Sequence, residues 1–149
     1  MDGILVPLDF SEISMEVIAW ARRLAESLPA KLWLIHVGDP EPDFVGYAAG
    51  PDTVRSQVAT KLREEHRRTQ QIAEQLRRSG LDATALCPQG ATVKTILHEA
   101  EKLDITLILM GSHGRGALYR SVLGSVSEGV LHKATCPVMI VPTPRDAVS

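Results

Sequence analysis

Three glycines fall within six positions in Met110-Gly111-Ser112-His113-Gly114-Arg115-Gly116, and after eight further residues Ser125-Val126-Ser127-Glu128 begins a helical pattern behind Gly124. Glycine lets the backbone take positive φ and approach a ligand with no Cβ in the way. The first amides of a helix lack intrahelical partners and sit at the positive end of its macrodipole. Bare amides and hydroxyls in that setting suit an anion, and a phosphate above all. The same residues also suit a tight turn followed by an ordinary serine N-cap, and by themselves they leave both uses open. Four glycines in fourteen residues, Gly111, Gly114, Gly116 and Gly124, give up backbone entropy on ordering, which argues for a geometric demand.

A carboxylate stands at the other candidate position, Asp9 in Pro7-Leu8-Asp9-Phe10-Ser11. There it can accept hydrogen bonds from a ribose hydroxyl while the Gly111 to Ser127 segment holds phosphates. Two common nucleotide fingerprints are missing, G-x-x-x-x-G-K-[ST] and the G-x-G-x-x-G of dinucleotide-binding turns. Phosphoryl transfer requires an oriented water and a charge clamp on the terminal phosphate. The chain offers neither a dedicated lysine nor an acidic pair for a metal, and His113 and Arg115 read as neutralising phosphate charge. No catalytic residue and no metal ligand is therefore assigned. Cys87 and Cys136 lack metal-ligand spacing and read as reduced structural thiols.

The elements that must position these groups follow from apolar periodicity. Ile4 to Leu8, Leu32 to Val37, Leu81 to Cys87, Ile105 to Met110 and Cys136 to Pro142 are short strand-like runs, the third alternating more and so placed at an edge. His36 reads as a polar residue at its strand's end. Between the runs lie four helices. The first has Ser11 as N-cap and Pro29 as stop, the second runs from Asp52 or Thr53 to Ser79 with Gly80 just beyond, and the others span 92–102 and 125–133. A helical turn is also expected within Leu118 to Leu123, a loop from Gly38 to Asp52, and a frayed tail from Thr143 to Ser149. Strict alternation of strand and helix predicts an α/β protein, one domain over residues 1–149 with an open, doubly wound parallel sheet of five strands. Such sheets bind ligands beyond the carboxyl ends of their strands, where Asp9, Val37 and Gly111 would gather.

Composition narrows the function. With 149 residues and 44% hydrophobic content the chain can bury a sizeable core. Its net charge of −2 gives no bulk attraction to nucleic acid or membranes. The Arg-rich second helix interleaves carboxylates, as a solvated face does. No membrane-length apolar run or basic leader is visible, so a soluble cytoplasmic protein is expected.

In register, Gly111-x2-Gly114-x9-Gly124-Ser125 matches the G-x2-G-x9-G-[ST] motif, and the chain resembles the ATP-binding branch of the universal stress protein family. The likeness extends to Pro7-Leu8-Asp9-Phe10-Ser11, Ile35-His36-Val37 and Cys136-Pro137-Val138. It implies a flavodoxin-like strand order 3-2-1-4-5 and a homodimer paired through the last strand, Val138 to Val141. It also implies ATP as ligand; a Mg²⁺ ion could ride in with the nucleotide, held mainly by its phosphates. Carried over by position, Asp9 meets the ribose, Pro7 and Val37 the adenine, and Met110 lines the floor. Gly111, His113, Gly114, Gly124, Ser125, Val126 and Ser127 surround the phosphates. The Gly90-Ala91-Thr92 turn departs from the family pattern, and the Gly38 to Asp52 loop matches none. Three functions stay in play: a nucleotide-binding signalling or stress module with little turnover, a slow nucleotide-dependent hydrolase acting through His113, and a nucleotide-free dimeric interaction protein.

Overall fold

The computed structural model of the chain describes residues 2–40, 52–113 and 123–143. Its strands are β1 (Gly3–Pro7), β2 (Lys31–Ile35), β3 (Ala83–Leu86), β4 (Leu107–Gly111) and β5 (Val138–Val141). The helices are α1 (Ser14–Ser27), α2 (Asp52–Arg78), α3 (Thr92–Lys102) and α4 (Ser125–Lys133). All strands pair in parallel in the order β3-β2-β1-β4-β5, so β3 is at an edge and β1 lies central. The expected α/β architecture and strand order are both present.

Because successive side chains of a strand point to opposite faces, the apolar runs feed two cores. Ile4, Val6, Leu32, Leu34, Leu107 and Leu109 pack with Val17, Ala21, Ala73 and Leu76 of α1 and α2. Leu5, Ile35, Ile108 and Met110 pack on the other face with Ile96, Ala100 and Val130 of α3 and α4. Continuous apolarity in the central strands is thus explained by burial on both sides.

Helix ends show where local chemistry decided the boundary. The residue before Pro29, Leu28, is driven into extended backbone (φ −124°, ψ 132°) and α1 stops there. The start of α1 corrects an expectation, since Ile13 and not Ser11 is the N-cap, with no side-chain cap. Asp9 Oδ1 accepts the Ser11 amide at 2.9 Å and the Ser14 hydroxyl at 3.3 Å. That local turn competes with a serine cap and delays the helix.

At the end of α2, Gly80 takes φ +89°, its amide donates to the Arg77 carbonyl, and the Leu81 amide reaches the Leu76 carbonyl. This is a Schellman closure. A Cβ on Gly80 would have nothing within 4 Å, so Gly80→Ala is expected to cost only the left-handed backbone penalty, about 1 to 2 kcal/mol, read as a lower urea midpoint with an unchanged slope.

Helix α2 has 27 residues against four in β3, roughly 40 Å against 13 Å. Its C-terminal half therefore covers the sheet through Thr69, Ala73 and Leu76, while Val54 near its start is exposed. All but Leu123 of the helical turn expected at 118–123, most of the 38–52 loop and the tail beyond 143 lie outside the described residues.

Candidate nucleotide site

At the carboxyl rim, β1 delivers Pro7 and Asp9, and β2 ends at Ile35, two residues earlier than expected. Val37 nevertheless stays in the sheet's plane. The Gly38 amide donates to Pro88 O at 2.8 Å, the Gly90 amide donates to Gly38 O at 3.1 Å, and a parallel bridge joins Gly38 to Gln89. Val37, Met110 and Val126 join one apolar cluster on the α3/α4 side of the sheet.

Two hydrogen bonds fasten the start of α4 to the end of β4. The Gly124 amide donates to Ser112 O at 2.6 Å, and the buried Ser127 hydroxyl donates to Gly111 O at 2.6 Å. Ser127 thus uses its hydroxyl as an internal tie, and what it offers an anion is its main-chain amide at the third helical position. The N-cap position of α4 supplies no side-chain hydrogen bond, so the orphan donors of its first turn are left to other acceptors. Gly124, the N-cap, sits at φ −72° and ψ 164°, a conformation open to any residue. Its glycine is not required by backbone geometry.

Gly111 has a second use that the motif hides. A Cβ there would lie 3.0 Å from Ile13 Cγ2, so the missing side chain lets α1 close on β4. His113, the residue after Ser112, lies with its Nδ1 3.1 Å from Ser112 Oγ and 3.4 Å from Thr143 Oγ1. Ser112 is buried and also accepts the Thr143 amide at 3.0 Å. These hydroxyls tie the exit of β4 to that of β5. Ser112 was visible only as a small polar residue between glycines, and Thr143, expected to begin a frayed tail, is instead held here by Ser112. Ser125 is exposed at the helix start. Gly114 lies outside the described residues.

On the opposite, α2 side of the rim, His36 is buried, its Nδ1 is 2.8 Å from Leu8 O and its Nε2 meets Glu65. Sequence periodicity treated it as a strand-end polar residue and gave Glu65 to a solvated helix face. A cavity of about 640 Å³ opens there, lined by His36, Leu62, Glu65, Cys87 and Gln89 among others, and none of its described lining residues belongs to the glycine stretch. Burial pushes the Cys87 thiol up, a hydrogen bond with Thr69 opposes this, and the Glu65 carboxylate adds to the rise. That environment keeps Cys87 protonated and unreactive at neutral pH. Among the described residues no group of three or more His, Cys, Asp or Glu side chains is arranged to hold a metal ion. Nor is any described helix long and apolar enough to cross a membrane.

Comparison with known proteins places this geometry in context. Residues 1–142 match the Universal stress protein family. Universal stress protein MJ0531 of Methanocaldococcus jannaschii is 32% identical over 144 residues, covering 95% of this chain and 82% of that protein. Among solved structures, universal stress protein UspA from Lactobacillus plantarum superposes with a TM-score of 0.82 at 22% identity, over 94% of this chain and 97% of its own. The fold is shared by a universal stress protein from Archaeoglobus fulgidus solved in complex with dAMP (TM-score 0.63, 17% identity, 94% of this chain and 97% of that one). It is shared too by one solved in complex with cAMP (TM-score 0.64, 20% identity, 96% and 98%).

Proposed function

The chain belongs to the universal stress protein family, and from that premise we propose that it binds an adenine nucleotide, ATP with Mg²⁺ held by the phosphates, as a stress or signalling module with little intrinsic turnover. The observation that carries this is the uncapped start of α4 pinned to the end of β4 by the Gly124–Ser112 and Ser127–Gly111 hydrogen bonds. Amides of Ser125, Val126 and Ser127 are thereby held at the rim as an anion site. Adenine then packs against Pro7, Val37 and Met110, the ribose meets Asp9, and Gly111, His113 and Gly114 complete the phosphate shell. The adenine-nucleotide complexes of two proteins of the same fold support the ligand class.

Low turnover accords with the lack of a dedicated lysine or acidic pair in the sequence. A homodimer through β5 accords with a short apolar strand that, among the described residues, pairs on one side only, Val138–Val141 against β4, since such an edge invites pairing about a two-fold axis.

Calorimetric titration with Mg·ATP tests the proposal directly. Asp9→Ala is expected to weaken binding by about 1.5 to 3 kcal/mol, the worth of a hydrogen bond to a charged group, or roughly ten- to 150-fold. An unchanged affinity would move the ribose away from Asp9, and no binding by the wild-type protein would end the nucleotide reading.

A further inference from the structure

Asp9 is flanked by two residues that are anchored from the far side of the sheet. Its predecessor, Leu8, presents its carbonyl to His36 Nδ1 at 2.8 Å. A carbonyl only accepts, so Nδ1 donates, and the other ring nitrogen is engaged by Glu65 of α2. Its successor, Phe10, holds the left-handed conformation at φ 61°, which is strained for a non-glycine residue and persists only where surroundings enforce it. Those surroundings are a stack. The Phe10 ring lies 4.6 Å from the His36 ring, centroid to centroid, and the Arg68 guanidinium lies 4.2 Å from the Phe10 centroid on α2. Glu65 and Arg68 are one helical turn apart, so a single face of α2 grips both neighbours of Asp9.

The grip is specific in chemistry. His36 is 8% exposed, and an aliphatic residue there would leave the Leu8 carbonyl without its partner. The left-handed turn at Phe10 also brings the Ser11 amide to Asp9 Oδ1 at 2.9 Å, which fixes the carboxylate's rotamer. We propose that His36, braced by Glu65 and stacked on Phe10, is a positioning residue for ribose recognition: it sets where the Asp9 carboxylate stands without touching the nucleotide. The inference rests on the assignment of Asp9 to the ribose made above, and it adds that α2, on the opposite face from the adenine cluster, controls that contact.

The test compares ATP with 2′,3′-dideoxyATP, which lacks both ribose hydroxyls. Wild-type protein is expected to favour ATP by roughly ten- to 150-fold, the range of one charged hydrogen bond. In His36→Phe/Glu65→Leu both side-chain partners are removed together, so no buried charge is stranded and the loss falls on the Leu8 carbonyl. There the ATP preference is expected to collapse to about twofold, with dideoxyATP affinity unchanged within about the same factor, the usual error of additivity. Glu65→Gln can still donate an amide hydrogen to the imidazole and is expected to keep the wild-type preference, which a simple loss of charge near the site would not. As a second variant, Phe10→Gly suits the backbone at φ 61° and removes only the ring; the preference is expected to drop severalfold, and it decides the matter if the double variant does not fold.

A folded double variant, or Phe10→Gly, that retains the full ATP preference would overturn the positioning role and leave the nucleotide proposal standing. Wild-type protein that binds both nucleotides equally would overturn the Asp9 assignment and this inference with it. Failure to bind either would overturn the proposed function as well.

Discussion

Gly124→Val is expected to abolish adenine-nucleotide binding while leaving the fold intact. Position 124 has φ −72° and ψ 164°, which valine adopts readily, and the hydrogen bond from its amide to Ser112 O does not depend on the side chain. What changes is the approach to the first turn of α4, where a branched side chain would stand in front of the uncapped amides. Losing two amide contacts to phosphate corresponds to about 3 to 6 kcal/mol, more than a hundredfold in affinity. Calorimetry of the variant, alongside a thermal melt showing a near-native midpoint, checks both halves. Native-like affinity would mean that the amides at the head of α4 are not the phosphate site and that Gly124 serves only the turn.

The largest expected effect on stability lies in β2. Leu34→Ala removes a fully buried side chain from a strand paired on both sides, with β1 and with β3. Large-to-small changes at such positions cost about 2 to 5 kcal/mol, because the surroundings relax only partly into the cavity. That is a substantial fraction of the roughly 5 to 15 kcal/mol that separates folded from unfolded states. Met15→Ala on α1, where the side chain is 73% exposed, is the matched control, expected to stay within about 0.5 kcal/mol. Urea titration of both distinguishes the two. A Leu34→Ala midpoint no lower than that of Met15→Ala would contradict the two-sided burial of β2.

The parallel sheet and its helices were legible because their signals are local and repeated. Ile4 to Val6 and Leu107 to Leu109 are unbroken apolar runs, and α3 and α4 begin and end where the periodicity and glycines placed them. The start of α1 was not legible. It depended on the Asp9 carboxylate capturing the Ser11 amide, a competition between two reasonable hydrogen-bond acceptors that composition does not rank. Of the residues proposed for the site, Val37, Met110 and Val126 share one apolar cluster. Roles were harder than places. Ser127 looked like a phosphate ligand through its hydroxyl, yet that hydroxyl holds β4, and Gly111 looked like a bare approach to ligand, yet its missing Cβ admits Ile13. His36 and Glu65 meet across 29 positions, a separation at which periodicity carries no information. Gly114 lies beyond the described residues.

Strand order also governs the sequence of events in folding. β1 pairs with β2 close by in the chain, but its other neighbour, β4, comes from far along it, with Ile4 aligned to Leu107. Closing so long a loop costs entropy before its contacts repay it, so β3-β2-β1 with α1 and α2 can assemble while the remainder is still being synthesised. β4, α4 and β5 then dock on the open side of β1. Asp9 belongs to the N-terminal half, whereas the amides of α4 come with the last elements of the chain. The two halves of the proposed site therefore come from opposite ends of the chain, and a C-terminally clipped chain would keep Asp9 while losing the amides of α4.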